Sequence, residues 1–283
     1  MAIALVTGTS TGIGLATAVS LARSGHSVYA TMRNPVSGGS EISAIKEKEG
    51  LPITLLALDV DSDQSVREAF AQVGRVDVLV NNAGVAAHAS VEEMPVAEFK
   101  RIMETNFFGA LRCIQAVLPG MRERRSGIIV NVTSVAGRIA GGSQGAYSAS
   151  KWALEALSES LACEVKAFGI RVAIVEPGVI ATPIFGKERV EGSSIYPHER
   201  RLNAFYRAAL RNRVSPYVVG EAIRDIVANG DSKLRHPVGP DAQPIIDSRA
   251  RVTDEKWVDS QTVSDEAWAE RLSRSFGMKI ELE

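Results

Sequence analysis

Six short runs of mostly Val, Ile, Leu and Ala, at Ala2 to Val6, Ser27 to Thr31, Ile53 to Leu58, Val76 to Val80, Ile128 to Val132 and Val172 to Val175, alternate with segments long enough for a helix. Such near-continuous apolar runs suit strands covered on both faces, and parallel strands need a helical crossover between them. A chain with this rhythm is confined to the α/β class. The expected fold is a doubly wound, Rossmann-like parallel sheet with helices on both faces, seven-stranded once a last strand near Lys233 to Pro237 is added.

The intervening segments carry their own signals. Ser62 is placed to cap a helix whose inward stripe is Val66, Ala69, Phe70 and Val73. Residues 95–125 can form one long helix, kinked near Gly109, and another runs from Ala146 to Phe168. After Pro177 the alternation breaks, and 183–215 reads as a mobile substrate loop. A helix from Pro216 to Asn229 follows. In the tail, Thr253 and Ser264 each precede two acidic residues, as N-caps do, and Gly277 can stop the second of two helices. With no repeat and no low-complexity linker, the 283 residues read as one catalytic domain, 1–240, with a helical extension, 241–283.

The chain has 32 basic and 33 acidic residues, a net charge of -1. That balance offers no broad field for nucleic acid or an anionic membrane, so a small molecule is the expected partner. Cys113 and Cys163 have no ligand-spaced neighbours, which argues against a metal, and as free thiols they suit a reducing compartment. No stretch reaches the roughly 18 apolar residues of a spanning helix. The opening run reads as a buried strand rather than a leader, and the expected location is cytoplasmic.

Thr7-Gly8-Thr9-Ser10-Thr11-Gly12-Ile13-Gly14 follows the first strand and opens the first helix, where a dinucleotide fold needs a tight turn and close backbone approach to pyrophosphate. NAD-binding proteins place an acidic residue about 20 positions further on for the ribose hydroxyls. Here the first acidic residue is Glu41, and the second strand runs into Arg33. A guanidinium there suits a 2′-phosphate and points to NADP(H) over NAD(H), with Thr11 adding a hydroxyl. The alternative is a solvated strand-end arginine.

Tyr147 and Lys151 lie four apart in a helical segment and share a face. A phenol beside an ammonium is expected to titrate below its usual value near pH ~10, within reach of acid/base work. Ser134 lies just past the fifth strand, at the edge where open α/β sheets bind ligands.

Thr-Gly-x-x-x-Gly-Ile-Gly at 7–14, Asn-Asn-Ala-Gly at 81–84, Asn106, Ser134, Tyr147-x-x-x-Lys151 and Pro177-Gly178-x-x-x-Thr182 occur in one order over roughly residues 2–240. In this the sequence resembles the short-chain dehydrogenase/reductase family, in its single-domain branch, and within it NADP-preferring 17β-hydroxysteroid and retinol dehydrogenases. The resemblance implies hydride transfer between a nicotinamide and a secondary alcohol or ketone, with a hydrophobic steroid-, retinoid- or lipid-like substrate. Tyr147 would be the acid/base, Ser134 would polarise the carbonyl, and Lys151 would hold the ribose and lower the phenol's pKa. Asn106 would position a proton-relay water.

Gly8, Ser10, Thr11, Gly12, Ile13, Gly14, Arg33, Asp59, Val60, Asn82, Ala83, Gly84, Pro177, Gly178, Ile180 and Thr182 would hold the cofactor together with Tyr147 and Lys151. Asp59 could instead cap the following helix. The family also implies a homodimer or homotetramer through the helix bearing Tyr147, where Ala153, Ala156 and Ala162 permit close approach. Two other readings stand: an epimerase or dehydratase of the same fold, disfavoured by the glycine spacing, and a non-catalytic NADP(H) sensor, which would tolerate loss of Tyr147 or Lys151. Phe185, Tyr196, Phe205 and Tyr206 are either pocket wall or core. The seven Lys and Arg against three Glu in 183–215 are either an anion site or a solvated face.

Overall fold

A computed structural model describes residues 1–185, 194–230 and 232–282. In chain order it runs β1 (Ile3–Thr7), α1 (Gly12–Arg23), β2 (Ser27–Met32), α2 (Pro35–Gly38), α3 (Ser40–Glu49), β3 (Ile53–Ala57), α4 (Asp63–Val73), β4 (Val78–Asn81), α5 (Val96–Met103) and α6 (Gly109–Glu123). Then come β5 (Gly127–Val132), α7 (Gly145–Val165), β6 (Ile170–Pro177), α8 (His198–Leu210), α9 (Tyr217–Asn229), β7 (Arg235–Val238), α10 (Ala242–Ala250), α11 (Asp254–Gln261) and α12 (Asp265–Phe276).

The seven strands form one parallel sheet in the order β3-β2-β1-β4-β5-β6-β7. The direction of winding reverses between β1 and β4, and that switch point opens the crevice at the strands' C-terminal edge. Each face of the sheet has its own core. Leu15 and Val19 of α1, Ile42 of α3 and Ile223 of α9 fill one. Phe70 and Val73 of α4, Ile114 and Val117 of α6, and Leu161 and Val165 of α7 fill the other. A Cβ on Gly220 would stand 2.7 Å from the Ala16 backbone, so α9 lies against α1 only because that position is glycine.

Strand edges move by at most two residues from the sequence reading: β4 starts at Val78, β6 spans Ile170–Pro177 and β7 sits at Arg235–Val238. Segment 95–125 is one continuous helical run, Val96–Glu123, as expected, with its irregularity next to Gly109. A five-residue π-helical turn, Glu104–Phe108, separates α5 from α6 immediately before Gly109. The helix bearing Tyr147 ends at Val165 with a 3₁₀ turn to Phe168, and Gly169 closes it at φ 70°. Ser62, Thr253 and Ser264 cap α4, α11 and α12 as expected, each accepting a backbone N–H, and Gly277 ends α12 in the left-handed region. The tail holds three helices rather than two: α10 carries Pro244, which reads as a breaker yet is tolerated in a first turn, where its N–H has no intrahelical partner. Residues 186–193 of the expected substrate loop lie outside the described residues, and most of the remainder is the ordered helix α8.

Candidate active site

The turn after β1 is fastened to the end of β4. Thr7 Oγ1 accepts the backbone N–H groups of Asn82 and Ala83, both at 3.0 Å, and Asn82 Nδ2 donates to the carbonyls of Thr7 (2.9 Å) and Gly8 (3.1 Å). Gly8 takes φ 70°, and a Cβ on Gly14 would lie 2.2 Å from the Gly8 oxygen, so neither position admits a side chain. Thr11 precedes α1 without capping it, and the first turn of α1 holds no acidic residue. Free N–H groups at a helix N-terminus, reached over bare glycine backbone, are what a pyrophosphate requires. Arg33 is exposed beside this turn, with no hydrogen bond or ion pair among the described residues. These residues fit a nicotinamide dinucleotide. Asp59 does not cap α4; Ser62 does, and the Asp59 carboxylate accepts the Asp61 N–H at 3.2 Å.

The other candidate groups meet where α7 begins. Lys151 is buried, and its Nζ donates to the Val132 carbonyl at 3.0 Å and lies 5.7 Å from the centre of the Tyr147 ring. Burial lowers the Lys151 ammonium to about 8, with Glu155 pulling the other way. The phenol of Tyr147 moves opposite to the sequence expectation. Burial pushes it above its ordinary value, and the Ser134 hydroxyl only partly offsets this. Lys151 sits over the ring rather than at the hydroxyl, so desolvation of the phenolate dominates.

Asn106 belongs to the π turn, which directs its amide inward. Its Oδ1 accepts Val85 N–H at 2.8 Å, and its Nδ2 donates to Val85 O and Ser150 Oγ, both at 2.9 Å. A Cβ on Gly84 would come within 3.3 Å of Asn106 Oδ1 and 3.7 Å of Lys151 Nζ, which places both the amide and the ammonium against that glycine.

Beneath these groups a buried polar layer ties the strands to α7. Asn81 donates to Asn131 (2.8 Å) and Asn131 to Ser158 (2.7 Å), while Thr133 donates to Glu155 (2.7 Å). Arg235 of β7 pairs with Glu155, and Arg138 pairs with Glu176, which is fully buried at the end of β6. The backbone on either side of Ser134 and Pro177 is thereby fixed.

All the sequence-predicted site residues except Gly14 and Asn106 line one cavity of about 780 Å³. Gly14 lies under the turn, and Asn106 is buried behind Gly84. The cavity continues past Tyr147 into a chamber walled by α8 and the tail. Phe185, Phe205 and Tyr206 line it; Tyr196 does not, and its hydroxyl instead bonds Glu92.

His88 escaped the sequence reading because a lone His in a loop carries no pattern. Its ring packs 6.5 Å from that of Tyr147 and 5.5 Å from that of Tyr206, its Nδ1 is buried without a partner, and burial lowers its pKa to about 4. Which tail residues reach the cleft was equally unmarked in the sequence. Trp257 Nε1 donates to the Ala140 carbonyl at 3.1 Å across the cleft, and Asp241 accepts Val179 N–H at 2.9 Å beside Gly178, where a Cβ would meet Asp241 Oδ1 at 2.0 Å.

Among the described residues of 183–215, three arginines are engaged by the tail. Arg200 and Arg201 pair with Asp265, and Arg211 pairs with Glu281, so these side chains dock the tail rather than face solvent alone.

Residues 2–192 match the family model of the short chain dehydrogenases. The chain is 39% identical over 248 residues to a 3-ketodihydrosphingosine reductase of Bacteroides thetaiotaomicron, covering 84% of this chain and 88% of that one. It is 44% identical over 188 residues to retinol dehydrogenase 8 of Bos taurus, covering 65% and 60%. A short-chain dehydrogenase crystal structure from Streptomyces avermitilis superposes with a TM-score of 0.76 at 34% identity, over 93% of this chain and 98% of that one. With the glycine turn, the reversal between β1 and β4 and this similarity taken together, the chain belongs to the short-chain dehydrogenase/reductase family of oxidoreductases.

Proposed function

We propose that the protein is an NADP(H)-dependent reductase or dehydrogenase of an apolar secondary alcohol or ketone. The observation that carries this reading is a single cavity running from the glycine turn to Tyr147, with Ser134 and Lys151 at its floor and aromatic walls beyond. When bound, NADP(H) supplies or accepts the hydride. Arg33 would meet the 2′-phosphate, in a second strand that offers no acidic acceptor for a free ribose hydroxyl. Gly8, Gly12 and the start of α1 would hold the pyrophosphate, and Pro177, Gly178, Ile180 and Thr182 would border the nicotinamide.

Ser134 Oγ orients the substrate oxygen, and Tyr147 passes it a proton during reduction. A phenol held above its ordinary value stays protonated at neutral pH, so the resting site is charged for carbonyl reduction. Lys151 binds the nicotinamide ribose. Asn106, clamped by Val85 and Ser150, holds the relay water next to Lys151. The ketone and alcohol named for the two relatives, ketodihydrosphingosine and retinol, support a lipid-like substrate class. The domain, 1–240, is read as catalytic and 241–283 as its cover. The expected assembly is a homodimer or homotetramer through α7, and the expected compartment is the cytoplasm.

Binding of NADPH and NADH to the purified protein, followed by loss of nicotinamide absorbance with lipid ketones, tests the proposal. Tyr147→Phe should lower turnover by at least a thousandfold and leave NADPH affinity within about twofold, because the ring remains and only the ionisable hydroxyl is lost. Retained turnover in that variant would overturn the mechanism. Tight NADPH binding with no turnover of any carbonyl would favour a sensor, and binding of neither dinucleotide would defeat the reading altogether.

A further inference from the structure

The chamber beyond Tyr147 has two chemically different ends. From Tyr147 an aromatic wall leads outward through His88 to Tyr206 (5.5 Å between centroids), on to Phe205 (5.9 Å) and then to Phe276 of α12 (5.9 Å). At its far end α12 turns one face to the cavity, with Trp268, Arg271, Leu272, Ser275 and Phe276 at helical spacing. Among the described lining residues the carboxylates are Asp59 and Asp61, at the adenine end, whereas the chamber carries Arg201, Lys256 and Arg271.

Arg201 is engaged by Asp265 and by the carbonyls of Gln261 and Val263. Arg271 has no hydrogen bond or ion pair among the described residues, although it is half-buried and close enough to Arg201 for that like charge, after burial, to lower its pKa. Lys256, exposed on α11 at the same chamber, has no side-chain partner there either. A half-desolvated guanidinium facing a second cation is unfavourable on its own, and an anion placed between apolar walls would satisfy it through charge-assisted, bidentate hydrogen bonds.

We infer that Arg271, with Lys256, forms an anion subsite contributed by the C-terminal tail, and that the substrate is an apolar chain with its carbonyl or hydroxyl at Tyr147 and a carboxylate at its far end. This rests on the proposed oxidoreductase reading, since it presumes that the reacting carbon lies at Tyr147. It sets the protein apart from enzymes of uncharged or cationic lipids, because a long-chain amine would bring a fourth positive charge into a chamber that already holds Arg201, Lys256 and Arg271.

The test is calorimetric titration of the full chain with dodecanoate, dodecan-1-ol and dodecylamine, probes of equal chain length and different head-group charge, with and without saturating NADPH. The wild type should bind dodecanoate at least about tenfold more tightly than either other probe, and the preference should persist with NADPH bound, when Arg33 and the pyrophosphate turn are occupied. Arg271→Met should abolish the preference and leave dodecanol affinity within about twofold. Lys256→Met should weaken dodecanoate by a smaller factor.

Equal binding of the three probes by the wild type, or a preference that survives in Arg271→Met, would overturn the inference. Should Arg271→Met not fold, Arg271→Lys replaces it. A several-fold weaker dodecanoate affinity from the lost bidentate fork would support the subsite, and an unchanged affinity would overturn it. The probe titrations need no turnover. A protein that prefers dodecanoate but does not bind NADPH would thus defeat the proposed function without bearing on the charge of the subsite.

Discussion

Tyr147 and Lys151 show how far spacing alone reaches. Four residues apart on a helix guarantees a shared face, and the pair does converge on one cavity floor. Spacing could not give the sense of the Tyr147 shift, because that depends on which atoms surround the hydroxyl and on Lys151 lying over the ring. His88 is the sharper case, since nothing in its sequence neighbourhood marks it as buried against two tyrosines. Its pKa near 4, against an ordinary 6.5, has a consequence for acid stability. Between those values the unfolded chain takes up a proton that the folded chain refuses. The contribution is therefore complete above pH 6.5 and is lost as pH falls toward 4, by about 3 kcal/mol at the limit. His88→Leu should lose less stability over that interval than the wild type, as measured by urea unfolding at a series of pH values, and identical slopes would show that His88 is not held neutral.

At the level of elements, the caps and the buried stripe of α4 were legible, but not which neighbour covers a face. Ser62, Thr253 and Ser264 announce helix starts through local chemistry, and each accepts the backbone N–H three residues on. The π turn at Glu104–Phe108 has no such signature, and only packing against α7 and Val85 reveals why Asn106 faces inward. The destination of α11 and α12 was equally hidden, because an amphipathic helix states that it has a buried face but not which neighbour covers it. Arg201 supplies that link. It is 4% exposed and joins α8 to the junction of α11 and α12 through Asp265, Gln261 and Val263. Arg201→Met leaves buried carbonyls unpaired and should cost about 3 kcal/mol in tail docking. Hydrogen exchange should then show faster exchange across 254–276 with protection of the sheet strands unchanged, whereas uniform loss would mean that the tail and sheet unfold as one unit.

For the whole molecule, the sheet order places the glycine turn, Asn82, Ser134 and Pro177 along one edge around the β1–β4 switch, and the tail then roofs the far side of the cleft. The proposed assembly through α7 leaves Trp152 (49% exposed) and Phe108 (42%) available for a partner. In sedimentation velocity the wild type should run at a multiple of the chain mass and Trp152→Asp as a monomer, while a monomeric wild type would remove α7 as an interface. The sequence by itself determined the doubly wound sheet and the glycine turn that opens α1, because periodicity and glycine conformation are local properties that survive any packing, and the family resemblance named Tyr147, Lys151, Ser134 and Asn106 as candidates. Only the tertiary structure decided that Phe205, Phe276, Trp268 and Arg271 share one chamber, that the loop arginines dock the tail, and that the phenol rises rather than falls. Those outcomes depend on which distant surfaces exclude water from one another, and desolvation is set by three-dimensional neighbours rather than by residues adjacent in the chain.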